Sequence, residues 1–167
     1  HMLLEMPTRS VHPDVITYNA TIAACGKGRC WTGAISLVAR MRRHQLQPDA
    51  TTHNAIVSAC EKGQCWAQSL KAMSDMREEG VAPNVVTYNA TISACEKGHR
   101  WDQALSFLAG MRGAFLRPDI ITYNATISAC EKAGQWTAAL SLLDTARRTR
   151  LRPDVITGTA TASAWNL

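Results

Sequence analysis

Trp31, Trp66, Trp101 and Trp136 follow one another at a constant step of 35 residues. Pro13, Pro48, Pro83, Pro118 and Pro153 keep the same step, and the segment TYNATISACEK occurs at 87–97 and again, letter for letter, at 122–132. Self-similarity at a period of about 20–50 residues marks a stack of supersecondary units, none of which can bury its apolar face alone. Four complete units can be laid out, 15–49, 50–84, 85–119 and 120–154, each closing on Pro-Asp or Pro-Asn. Residues 3–14 fit the end of a preceding unit, with Met6 in register with Met41, Met76 and Met111. Residues 155–167 open a further unit and then stop, so they are expected to form a partial repeat or a C-terminal cap helix. His1-Met2 has the form of a cloning remnant, and no targeting segment is expected within the chain.

Each unit reads as two helices. In the first, Tyr88, Ile92 and Cys95 fall at i, i+4 and i+7, the spacing of one buried stripe, and Tyr18/Ile22/Cys25 and Tyr123/Ile127/Cys130 repeat it. The second unit places His53, Val57 and Cys60 there, with His53 expected to be a satisfied core residue. Gly28, Gly63, Gly98 and Gly134 come just past this helix, where a C-terminal cap is expected. The second helix starts near the Trp and carries Trp101, Ala104, Leu105, Leu108 and Met111 at helical spacing, ending before the Pro. The expected fold is all-α, an α-solenoid of tandem antiparallel helix pairs.

Composition narrows the function classes. No apolar run approaches the roughly 18 residues of a membrane span, so no membrane partner is expected. A net charge of +5 and a pI near 9.1 leave room for a polyanionic partner. Of the six cysteines, Cys25, Cys60, Cys95 and Cys130 recur inside apolar stripes, and Cys30 and Cys65 share a second position. They are expected to pack as small hydrophobes in a reducing compartment; no Cys-x-x-Cys and no zinc spacing occurs, and no metal or cofactor is expected. Neither a nucleophile–base pair nor a phosphate-binding glycine loop is visible, so no catalytic residue is assigned and the chain is not expected to be an enzyme.

One helical face is left over by packing. On a wheel of about 100° per residue, Val86, Asn89, Ser93 and Lys97 fall within about 80° of one another, away from the buried stripe. The set recurs as Ile16/Asn19/Ala23/Lys27, Thr51/Asn54/Ser58/Lys62 and Ile121/Asn124/Ser128/Lys132. An amide offers donor and acceptor to a base edge, an aliphatic residue can lie against a base plane, and a lysine can neutralise a phosphate. Local roles compete with that. An early-helix Asn can bond nearby backbone, a late-helix Lys suits the macrodipole, and Asp14, Asp49, Asn84, Asp119 and Asp154 suit the next helix as N-caps. Glu61, Glu96 and Glu131, next to three of the lysines, would partly cancel their field.

The 35-residue unit, with its Thr-Tyr-Asn opening, its Cys-Glu-Lys turn followed at once or after one residue by Gly, its second helix carrying Met41, Met76 and Met111 in register, and its Pro-Asp close, resembles the pentatricopeptide repeat. The neighbouring tetratricopeptide pattern has a 34-residue period and a Trp-x-x-Leu-Gly-x-x-Tyr signature that is absent here. The resemblance implies an organellar protein, of chloroplast or mitochondrion, that reads single-stranded RNA at one base per repeat, its N-terminal repeat toward the 5′ end. It implies base selection by the Asn of Thr-Tyr-Asn together with the residue closing the unit. Asn19 with Asp49 implies U, Asn54 with Asn84 implies C, and Asn89 with Asp119 and Asn124 with Asp154 imply U. The ligand so implied is pyrimidine-rich, 5′-UCUU-3′. Ile16, Thr51, Val86, Ile121 and Ile156 match the base-sandwiching position, and Lys27, Lys62, Lys97 and Lys132 a phosphate-contacting one. Gly158 and Thr159 stand where Tyr-Asn is expected in the last fragment, and Trp165 stands where Cys is, so that fragment is expected to cap rather than read.

The function expected from the sequence is RNA binding by occupancy, serving RNA processing, stability or translation. A tetratricopeptide-like scaffold for protein partners is the alternative, because solenoids also present concave surfaces to peptides. Apolar surface at the truncated ends makes self-association through them a third expectation.

Overall fold

The structure, a computed structural model, describes residues 13–149. These form eight α-helices of 13 residues: α1 (Val15–Lys27), α2 (Trp31–Arg43), α3 (Ala50–Lys62), α4 (Trp66–Glu78), α5 (Val85–Lys97), α6 (Trp101–Gly113), α7 (Ile120–Lys132) and α8 (Trp136–Arg148). The chain is an all-α solenoid of helix pairs, as its repetition predicts. No described helix is long and apolar enough to cross a membrane. Residues 3–12, the fifth unit, and with them Asp154 and Ile156, lie outside the described residues.

Each first helix is started by the residue that closes the preceding unit. Asp14, Asp49, Asn84 and Asp119 are extended N-caps whose side chains accept from Thr17, Thr52, Thr87 and Thr122 N–H. In the last three, the Thr hydroxyl accepts in return from the cap N–H, so two orphan donors of the helix start are satisfied at once. The second helices have no such cap; Cys30, Cys65, Arg100 and Gln135 precede them without a side-chain bond.

The turn glycines stand at the helix ends as expected, but in three of the four turns they are not the left-handed residue. Gly28, Gly63 and Gly98 occupy the helix C-cap with ordinary negative φ, and the left-handed residue is the next one: Arg29, Gln64 and His99, at φ of 56°, 58° and 55°. Only Gly134 carries the positive φ itself, at 69°. The bonds Cys30 N–H to Cys25 O and Arg29 N–H to Gly26 O close this turn as a Schellman motif, so backbone bonding offsets the cost of a left-handed non-glycine residue. The glycines answer to close approach instead. A Cβ at Gly63 would lie 2.6 Å from Trp31 Cδ1, and one at Gly98 would overlap Trp66 Cδ1. The repeated tryptophan thus lies on the turn of the following unit, and Arg100 stacks over the Trp66 ring at 4.7 Å.

Consecutive first helices α1, α3, α5 and α7 pack directly on one another, and α2, α4 and α6 each pack on their own first helix and on the next one, whereas second helices approach one another less closely, as where Arg42 of α2 reaches Glu79 at the end of α4. The first-helix layer is therefore the closely spaced one and lies on the inside of the curve. Between the layers, the predicted stripes are buried: Tyr88, Ile92 and Cys95, and Tyr123, Ile127 and Cys130, join Ala104, Leu108 and Met111 in the core. Trp101 packs against two successive clusters and ties neighbouring units together. Arg77 and Arg112 donate to Tyr88 and Tyr123 hydroxyls of the next unit, at 2.9 and 3.2 Å. In the second unit His53 replaces the tyrosine. Its ring is buried, with Nε2 3.1 Å from Glu79 Oε2, and Glu79 also receives Arg42. Nδ1 is buried without a partner, so the expected full satisfaction of this histidine is met on one side only.

Candidate nucleic-acid interface

The face that the wheel sets apart is the open inner surface of the first-helix layer. Ile16, Val86 and Ile121 are 76%, 61% and 59% exposed, so burial in the core does not explain an aliphatic residue recurring at this one register position. Thr51 is exposed at the same position, and Lys27, Lys62, Lys97 and Lys132 are exposed at the far end of each helix. Asn19, Asn54, Asn89 and Asn124 are half-buried between them.

These amides do not bond local backbone; they form rungs between units. Asn89 Nδ2 donates to Asp119 Oδ1 and Oδ2 at 3.1 Å, and its Oδ1 accepts from Thr122 Oγ1 at 2.6 Å. The same pair of bonds joins Asn19 to Asp49, at 3.2 Å, and to Thr52, at 2.6 Å. Thr122 Oγ1 also lies 2.9 Å from Asp119 Oδ1, but a hydroxyl has one proton, and the shorter contact is to the amide oxygen. Burial raises the Asp49 carboxyl, and its bonds to Thr52 and Asn19 more than reverse this, leaving it below its ordinary value and ionised. Asn54 departs from the scheme. It accepts from Thr87 Oγ1 at 2.6 Å, yet its Nδ2 makes no bond to Asn84, whose own amide oxygen is turned to Thr87 N–H at 3.1 Å. Asn124 Oδ1 is buried without a partner; the Thr in register for it, Thr157, lies outside the described residues.

A second ladder runs through the helix ends. Glu61 Oε1 accepts from Lys97 Nζ and from Ser93 Oγ, the latter at 3.2 Å. Glu96 Oε1 accepts from Lys132 Nζ and Ser128 Oγ, each at 2.8 Å. Each glutamate therefore pairs with the lysine of the following unit, not with its sequence neighbour. Between α5 and α7 the face opens into a shallow cleft of about 370 Å³ lined by Val86, Asn89, Ser93, Glu61, Asp119 and Ile121. The buried threonines of the rungs went unassigned in the sequence. Their signal was present, since Thr52, Thr87 and Thr122 recur in register and are fully buried despite being polar. Among the described residues no group of three or more His, Cys, Asp and Glu is placed to hold a metal ion.

A helical solenoid with an open, amide-lined inner face defines the class of helical repeat proteins. This chain belongs to the pentatricopeptide repeat family. The family model described as pentatricopeptide repeat domain matches residues 66–97 and 107–160, that of the PPR repeat family residues 13–62, and that of the PPR repeat residues 86–114. Among solved structures, the pentatricopeptide repeat protein PPR10 from maize is 29% identical at a TM-score of 0.78, over 98% of this chain and 24% of that one. The structure of PPR10 in complex with an 18-nt psaJ RNA element matches at a TM-score of 0.80 and 20% identity, over the same 98% and 24%. The PPR domain of Arabidopsis thaliana protein-only RNase P 1, in complex with tRNA, matches at a TM-score of 0.76 and 14% identity, over 88% of this chain and 80% of that one. The chain spans about a quarter of the length of PPR10. No curated protein sequence matches it.

Proposed function

We propose that this chain is a sequence-selective binder of single-stranded RNA, taking one base per unit, with 5′-UCUU-3′ as its core ligand. The cleft lined by Val86, Ile121, Asn89 and Asp119 is the observation that carries the reading. The aliphatic side chains suit a base plane, and the amide and carboxylate offer polar atoms to a pairing edge.

The rung chemistry supports the proposed base preference. Where Asn faces Asp, one amide proton is already given to the carboxylate, and the carboxylate's remaining lone pairs accept; uracil supplies a donor at N3. Where Asn54 faces Asn84 the amide donors are unshared, which suits cytosine, an acceptor at N3. Asn124 with Asp154 completes the proposed series, and Ile16, Thr51 and Ile156 extend the row of base-sandwiching residues. Occupancy of a transcript, in a chloroplast or mitochondrion as the family resemblance implies, would then mask or recruit without chemistry.

The test is a binding titration of 5′-UCUU-containing RNA against its purine-substituted and DNA forms. The RNA should bind more tightly than either; equal affinity for all three refutes base reading. Asn84→Asp sharpens it. Asp caps α5 as well as Asn does, and the variant gives Asn54 Nδ2 the carboxylate its counterparts have. Stability should hold while the second base shifts from C toward U. An unchanged preference removes Asn84 from the reading set.

A further inference from the structure

We propose that Glu61 and Glu96 are internal counter-ions that compete with phosphate for Lys97 and Lys132, so that the unshared positive charge of the inner face sits at Lys27 and Lys62, in its first two units. This rests on the RNA reading only for the identity of the polyanion.

The two glutamates are well placed to compete. Their side chains are 17% and 18% exposed, and each oxygen that meets a lysine is also held by a serine of the same unit. A carboxylate fixed in this way forms its ion pair without much further ordering, and its partial burial limits screening by salt. A phosphate approaching Lys97 or Lys132 must share that lysine with a carboxylate, and the like charges repel.

The register breaks in the first unit. The residue in step with Glu61 and Glu96 is Gly26, so Ser58 and Lys62 face no carboxylate, and Lys62 makes no ion pair among the described residues. Lys27 likewise has no partner among the described residues. Position 26 is buried against α3, and a Cβ there would meet Ala59 Cα and Cβ at 3.5 Å, ordinary van der Waals contact. Whatever the packing there, the first unit lacks the acid that the two following units set against a lysine. The phosphate grip is graded along the array, strong over the first two units and damped over the next two, while the Asn rungs continue at least through Asn89.

The grading is read from the salt dependence of binding to UCUU-containing RNA, measured on the full chain. Combining Glu61→Gln with Glu96→Gln should steepen the log–log salt slope by about 0.7 for each lysine released and tighten binding severalfold at low salt. Lys27→Ala and Lys62→Ala should each flatten the slope by about the same amount. Lys97→Ala and Lys132→Ala should leave it nearly unchanged, and flatten it only in the double-Gln background. Gly26→Glu should reproduce the effect of Lys62→Ala. An unchanged slope in the double-Gln variant, or equal loss from all four lysine variants, overturns the proposal. Loss of base preference with these slopes intact would sink the base reading alone. Should the unmodified chain bind no RNA, the RNA reading fails and the same variants are compared on immobilised inorganic polyphosphate. There, later elution of the double-Gln variant supports the proposal and co-elution with the unmodified chain overturns it.

Discussion

A single methyl group tests the role of the turn glycines. Because Gly98 is at negative φ, alanine is conformationally permitted there, and with no neighbour in the way the change would be tolerated or slightly stabilising. The Trp66 ring, however, occupies the space of a Cβ, and it is itself held by Arg100. Gly98→Ala is expected to cost about 1–3 kcal/mol through overpacking. The companion Gly28→Ala should be nearly neutral, since a Cβ there comes no nearer than 3.6 Å to the Cys25 carbonyl. Urea unfolding of the two variants checks the contrast. The sequence announced these glycines by their recurrence, but a turn and a close contact leave the same mark, and only the neighbouring unit tells them apart.

Helix starts carry both stability and the candidate site. Asp119 caps α7, receives the Thr122 N–H at 2.9 Å, and holds Asn89 from the preceding unit. Removing its side chain breaks the cap and unhooks the rung together. Asp119→Ala is therefore expected to lose about 1–2 kcal/mol in thermal or urea unfolding, while Asp119→Asn keeps the cap and loses less. The helices themselves are weak formers: the Thr- and Asn-rich first helices would be marginal alone at 13 residues. What stabilises them is burial of Tyr, Ile and Cys between layers. That is why periodicity located the helices from sequence, whereas propensity alone would have argued against them.

The buried thiols report on the whole solenoid, unit by unit. Cys60, Cys95 and Cys130 are fully buried, and burial pushes the first two up to about 11, so at pH 8 only about one part in a thousand of each is thiolate. Cys30 is exposed. A thiol reagent at pH 8 should therefore modify Cys30 rapidly and Cys60 and Cys95 only as their units open, with the difference abolished in denaturant. Mass mapping of the modified sites over time checks this. Rapid modification of Cys95 in native buffer would contradict the packing between α5 and its neighbours. In a solenoid each unit is stabilised by the next, so the protection of these thiols measures interfaces and not one common core.

The sequence by itself determined the repeat, the helix pairs and which residues share a face, because a constant 35-residue step and helical spacing fix those relations without reference to any other unit. Tertiary structure alone decided the partners. Glu96 and Lys97 are neighbours in sequence but point about 100° apart on their helix and cannot pair. Stacking of consecutive first helices instead brings Glu61 to Lys97 and Glu96 to Lys132. The same stacking hooks Asn89 to Asp119 and Thr122, residues 30 and 33 positions on. These distances depend on how one helix pair is offset against the next, a quantity set by the packing of Trp, Gly and Tyr between units and carried by no single helix.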